Sequence, residues 1–296
     1  MSGAPDTGPT SAAHPRHRPS SHLIGALTVV VVAAVVAAVV YFVYAYEHKT
    51  VIRAIAPGVR TPYPVGVIDT KALSGVDPPG AHALAGYRQV YVTDFPGRSL
   101  PTGWAVFTGP QPGSPGGHFG AAHVVVKDGR LLLSTWRDPQ FKDAWVTGGL
   151  CQCGRPMTYG AFFVRSRVTA AGPNEVELLW PASNHWPPEI DFNETGGRTN
   201  GTSSTVHWGP INQIDQRFVT IDMTKWHTWG VVWTRSSIVY TVDGQVWGTI
   251  ASPSEVASVP MTLDFEQRTL CAFHRQCPTH PVTMEVAWVA EYARNH

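Results

Sequence analysis

From Gly86 onward the chain is a succession of short β-rich runs divided by Gly and Pro, with no helical period between them. That pattern most limits the fold, because strands without interleaved helices must bury one face against another sheet. Gly129–Trp136 starts at the Asp128-Gly129 turn and runs apolar, Gly160–Val168 alternates around its arginines, and Thr228–Thr234 and Met284–Tyr292 add further strands. Ile238–Val242, Asp243-Gly244 and Gln245–Ile250 read as a hairpin, since Asp-Gly supplies the positive φ angles of a tight primed turn. The 11 Trp, 9 Tyr and 11 Phe beside 28 Gly and 25 Pro suit such a sheet-and-loop protein. We expect an all-β sandwich or jelly roll of two antiparallel sheets, with a closed barrel as the alternative.

The N-terminal part is different. Leu23–Tyr46 is a run of 24 residues without a formal charge, mostly Val and Ala, with Tyr41, Phe42, Tyr44 and Tyr46 at its far end. About 20 apolar residues cross a bilayer as a helix, and tyrosines gather at the interface. Residues 23–46 are therefore expected to be an uncleaved transmembrane signal-anchor. The rival is a signal peptide cleaved near Ala45, although the run exceeds the usual ~7–15 residues. Residues 1–22, rich in Pro, Ser and Gly, read as a disordered cytoplasmic tail. Residues 47–86 read as an extracytoplasmic linker and 87–296 as the folded domain. Arg16 and Arg18 before the run and Lys49, Arg53 and Arg60 after it nearly balance. Orientation thus rests on what the domain does. The formal net charge of +1 gives no field toward nucleic acid, and none is expected as a partner.

Trp186-Pro-Pro-Glu-Ile-Asp-Phe-Asn-Glu194 carries the most chemistry. On a regular strand Glu189, Asp191 and Asn193 share a face and Glu194 points away. One extra residue, a β-bulge, would return Glu194 to the Glu189 face. The α-carbons would then lie roughly 13 Å apart, and two leaning side chains could approach the ~5–5.5 Å of retaining glycosidases. Apolar Ile190 and Phe192 alternate with the acids, as on a strand with one face in a core and one in a cleft. A calcium loop fits less well, because the stretch lacks an Asx/Gly pattern.

At these residues the sequence resembles glycoside hydrolase family 16, whose signature is Glu-x-Asp-x-x-Glu on a bulged strand of a β-jelly roll. Thr158–Arg167, Leu178–Pro181, Thr205–Gly209, Trp226–Trp233 and the Asp243-Gly244 hairpin follow in the family's order. The resemblance implies a substrate cleft with Glu189 as nucleophile, Asp191 as its assisting acid and Glu194 as general acid/base. It implies a sugar platform at Trp186, and with it roles for Trp208, Trp180 and His207 in binding substrate. The implied partner is a polysaccharide: β-1,3- or mixed-linkage glucan, a galactan or xyloglucan. The bulged motif leans toward the laminarinase-like branch, hence an endo-acting β-1,3-glucanase-like hydrolase. A transglycosylase, or a carbohydrate-binding protein on the same fold, would share most of these features. No cofactor is implied. Some members bind calcium through an Asp near the last strand, a position held here by Ala287.

Trp229, Trp233, Trp247 and Trp288 lie in alternating runs and are expected in the core. Cys151, Cys153, Cys271 and Cys277 suit disulfides in an exported domain. Three pairings are possible. A Cys151–Cys153 bridge would be strained and cross-links between the pairs are equally open.

Overall fold

A computed structural model describes residues 49–51 and 61–295. The expected tail and the expected anchor at 23–46 lie outside the described residues. Among those described, no helix is long and apolar enough to cross a membrane.

Two sheets form a sandwich, and the described residues contain strands and short 3-10 turns but no α-helix. The first sheet has eight strands, in the order 49–51, 213–220, 202–208, 189–194, 174–181, 261–268, 149–151, 105–106. The second is larger. Its spine runs 245–250, 238–242, 227–233, 160–168, 282–294, 131–138, with further short strands at its margins. Both are antiparallel except where 49–51 lies parallel to 213–220 and 118–119 lies parallel to 144–147. These exceptions are strands of three and two residues entering from distant chain, which no hairpin constrains to run antiparallel.

The alternation read from the sequence sorts side chains between the sheets. Phe162 and Val164 enter the inter-sheet core with Leu179, Ile190, Phe192 and Phe265 from the facing sheet. Ala161 and Phe163, their neighbours in sequence, point to the opposite face. In the last strand the pattern slips at a bulge, where Ser166 pairs Val286 and Arg165 pairs Trp288. Val286 and Val289 therefore face the core, while Ala287 and Trp288 face outward. Trp229, Trp233 and Trp247 fill the core, as expected, and Trp288 is buried in the outer cluster. The Asp243-Gly244 turn has φ of 47° and 77°, as its composition requires.

One boundary moves. Of the expected 47–86 linker, residues 61–86 pack onto the outer face of the larger sheet. Leu84 is buried there, with Tyr63 and Val76 against Phe163, Trp288 and Tyr292. The Arg165 guanidinium donates to the Ser74 carbonyl at 2.8 Å, and Thr228 Oγ1 to that of Val65 at 2.7 Å. Proline hid this from the sequence, because it breaks periodicity without preventing an irregular segment from covering an apolar face. The disulfides pair Cys151 with Cys153 and Cys271 with Cys277, and no cross-link joins the two pairs. The Cα–Cα separation of Cys151 and Cys153 is 5.1 Å, within the usual ~4.4–6.8 Å.

Candidate active site

The Glu189–Glu194 strand is fourth in its sheet, between 202–208 and 174–181. Its register places Glu189 opposite His207, Ile190 opposite Val206 and Asp191 opposite Thr205, then jumps so that Glu194 faces Ser203. On the other side Asp191 pairs Leu178 and Asn193 pairs Glu177, so one residue is extra. That is the bulge. Ile190 and Phe192 are both in the core. Asn193 also turns inward: its amide oxygen accepts from Thr202 Oγ1 at 2.8 Å, and it hydrogen-bonds Glu177. Glu177 lies between the sheets, taking a hydrogen bond from Ser166 of the facing strand. The expectation that Asn193 shares a face with Glu189 and Asp191 is thus corrected. The bulge falls at Phe192-Asn193, so two successive side chains go inward and Glu194 emerges beside Glu189.

The emergent acids sense one another. Burial raises the Glu189 carboxyl most; His207 and the Trp186 indole oppose this, and the Glu194 charge adds to it. Asp191 is pushed well above the usual carboxylate range by burial, then by Glu189 and Glu194. Burial alone would lower the His207 imidazole. Its hydrogen bond to Asp191, the charges of Asp191 and Glu189, and a hydrogen bond to Asn212 outweigh this and lift it to about 9. His207 Nε2 lies 3.4 Å from Asp191 Oδ2 and 4.0 Å from Glu189 Oε2. Two acids and one imidazole therefore hold protons more tightly than isolated groups would.

Each glutamate is fixed by a neighbour. Trp186 Nε1 donates to Glu189 Oε2 at 2.7 Å, and its ring lies 5.7 Å from that of His207. Trp186 as a whole is 40% exposed. Asn174 Nδ2 donates to Glu194 Oε1 at 2.9 Å, while its Oδ1 accepts from the Gly196 amide. Asn174 was not singled out from the sequence, because nothing local links it to a carboxylate 20 residues away.

Two cavities are lined by residues that precede this strand or lie on other strands and loops, and none of 189–194 lines either. One of about 430 Å³ is lined by Trp186, Pro187, Pro188, Trp208 and the 254–259 loop. The other, about 550 Å³, is lined by Leu178, Trp180, Asp264, Glu266 and Arg268. The sequence reading placed Trp186, Trp208 and Trp180 near the acids, and the structure distributes them over both cavities. Trp180 is tied to Asn184 Oδ1 at 2.9 Å, and Trp208 leans on the core. Asp264 and Glu266 were missed. Their signal was the alternation of Met261, Leu263 and Phe265 with Thr262, Asp264, Glu266 and Arg268. Burial raises Asp264 well above its ordinary value and lifts Glu266 to about 7.

The chain has relatives of known kind. An endo-1,3-1,4-β-glycanase of Rhizobium meliloti strain 1021, ExsH, is 33% identical over 104 residues, 33% of this chain and 22% of that protein. EglC of the same strain, which carries the same description, is 31% identical over 104 residues. The match thus spans about a fifth of the length of these curated relatives. Among solved structures, the catalytic domain of an endo-1,3-β-glucanase (laminarinase) from Thermotoga petrophila RKU-1 superposes with a TM-score of 0.62 at 14% identity. It covers 71% of this chain and 99% of that one. The laminarinase from Rhodothermus marinus gives 0.61 at 18% identity, covering 71% and 98%. At such identities the likeness is one of fold. The family model for glycosyl hydrolases family 16 matches residues 118–268, just over half of the chain and all of the acid-bearing strand. On that match, with a two-sheet sandwich and a bulged Glu-x-Asp-x-x-Glu strand, the chain belongs to glycosyl hydrolases family 16.

Proposed function

We propose that this protein is a retaining endo-glycoside hydrolase acting on a β-linked polysaccharide of the β-1,3-glucan type. The observation that carries the reading is the bulge at Phe192-Asn193, which leaves Glu189, Asp191 and Glu194 on one side of the sheet. Glu189 attacks the anomeric carbon as the leaving oxygen takes a proton from Glu194, giving a glycosyl-enzyme ester. Esterification removes the Glu189 charge, so Glu194 becomes a stronger acid and serves as base toward water. Asp191 and the Trp186 indole hold the Glu189 carboxylate, and His207 shares the proton of Asp191. Trp186, Trp208 and Trp180 offer indole planes to the apolar faces of sugar rings on both flanks. The ExsH and EglC names and the laminarinase folds favour a glucan over a galactan. Two disulfides favour a catalytic body outside the cytosol, held at the membrane by residues 23–46.

The test is release of reducing ends from laminarin, mixed-linkage β-glucan, agar and xyloglucan by the full chain, with the first-formed anomer followed by NMR. Cleavage of a β-glucan with an initial β-anomer is expected. An initial α-anomer overturns double displacement, and glycan binding without cleavage replaces the enzyme by a binding protein.

Two positioning roles give further expectations. Asn174→Ala should lower kcat roughly 10- to 100-fold with little change in KM, because Glu194 loses its orientation. The loss should be smallest on substrates with good leaving groups, which need little help from a general acid, whereas a merely structural residue would lower all substrates alike. Trp186→Phe keeps a ring but removes the hydrogen bond to Glu189. It should lower kcat, whereas Trp186→Ala should raise KM as well; equal KM effects from both would remove the platform role.

A further inference from the structure

We propose that Glu189, Asp191 and His207 form a binding site for a transition-metal dication of the Zn²⁺ type, and that its occupation switches the enzyme off by engaging the nucleophile. The inhibitory half rests on the hydrolase reading above; the binding half does not.

The donor set is two carboxylate oxygens and one imidazole nitrogen, all within 4.8 Å of one another. Bonds of about 2.0–2.2 Å place neighbouring donors about 3.3 Å apart around a tetrahedral ion. The His207 Nε2 to Asp191 Oδ2 distance of 3.4 Å already has that length, and the 4.0 Å to Glu189 Oε2 closes with a small torsion of Glu189. A second observation selects the nitrogen. His207 Nδ1 lies 2.8 Å from Asn212 Oδ1, which can only accept, so the Nδ1 proton is held there and Nε2, the nitrogen that faces the carboxylates, is the one free to exchange its proton for a metal. Such backing of a histidine by an oxygen acceptor is how metal ligands are oriented.

The site is reachable. The His207 side chain is 21% exposed and that of Glu189 12%. Three protein donors leave a fourth position for water. Two carboxylates with a neutral imidazole carry a charge of −2, which a dication cancels. Mixed nitrogen and oxygen donors, three in number, suit Zn²⁺ or Cu²⁺ and fall short of the six to eight oxygens that Ca²⁺ requires. The ion enters as Nε2 and any protonated carboxyl of the pair release their protons to solvent, so no oxidant or reductant is involved. Once there it holds the Glu189 lone pair that would attack the sugar, so ion and substrate exclude one another.

Zn²⁺ titrated calorimetrically into the full chain in detergent should bind one to one. Co²⁺ in its place should give the visible absorption of a tetrahedral site. His207→Gln and Asp191→Asn, each checked for an unchanged melting temperature, should abolish both signals. Asn212→Ala should weaken binding about 10- to 100-fold while leaving the three donors in place. Laminarin cleavage should be lost on adding Zn²⁺ and restored by chelator. Absence of binding, or binding that survives His207→Gln, overturns the site. If cleavage proceeds and no metal binds, this inference fails and the hydrolase reading stands. If metal binds through the trio but the metal-free protein cleaves no glycan, the site stands and the hydrolase reading fails.

Discussion

Glu189→Gln is expected to abolish glycan cleavage, lowering kcat on the order of 10⁴-fold or more, with the fold and glycan binding preserved. The amide is nearly isosteric and can still meet the Trp186 N–H through its oxygen, but it cannot form the ester on which double displacement depends. Glu194→Gln should cost about 10²–10⁴-fold, the range for loss of a general acid/base, and least for substrates with good leaving groups. Azide separates the two roles. With Glu194→Ala it intercepts the glycosyl-enzyme and should yield a β-glycosyl azide. With Glu189→Ala it takes the place of the missing nucleophile and should yield the α-anomer. Should Glu189→Gln retain more than a tenth of the wild-type rate, the nucleophile lies elsewhere. Should the azide products be reversed, the two roles must be exchanged.

Stability should fall as pH rises from about 5 to about 8.5, opposite to the trend for a protein held by ion-paired carboxylates. Glu177 and Glu291 are lifted to about 8, each mainly by burial, and Glu175 well above its ordinary value for the same reason. Unfolded, each returns to the usual carboxylate range. Between the two values the folded state holds protons that the unfolded state has released, so rising pH favours unfolding. The slope is roughly 1.4 kcal/mol per pH unit for each proton retained. Below the unfolded value both states are protonated and the penalty disappears. All 11 tryptophans lie at Trp104 or beyond, so their fluorescence reports the β-body during denaturant melts of the full chain. Glu177→Gln keeps a neutral side chain for the Ser166 and Asn193 contacts. It should raise stability at pH 8, change it little at pH 5, and flatten the profile by about one proton. A profile that climbs from pH 5 to 8 would mean these acids are ionised inside the sandwich.

Much of the site could be read in the chain order, and what could not has physical causes. Glu189, Asp191, Glu194 and Trp186 sit within nine residues, close enough for strand periodicity and one bulge to relate them. His207 follows in the next strand, within reach of the same reasoning. Asn174, Asp264 and Glu266 meet the acids only through lateral pairing of 174–181 with 189–194 and 261–268. No local period encodes that pairing. Asn193 was assigned the wrong face because an extra residue can be inserted at several places without changing the composition of the strand. Residues 61–86 were read as a spacer because their prolines conceal an apolar lining, visible only against the face it covers.

By itself the sequence determined which residues alternate between wet and dry faces, where Asp-Gly turns the chain, and which acids lie within one bulge of each other, because these depend on contacts a few residues apart. The tertiary structure alone decided where the bulge falls, which strands flank it, which cysteines pair, and which side chains steady each glutamate. Those outcomes depend on how two sheets close over a shared core and on which distant strands the closure brings side by side.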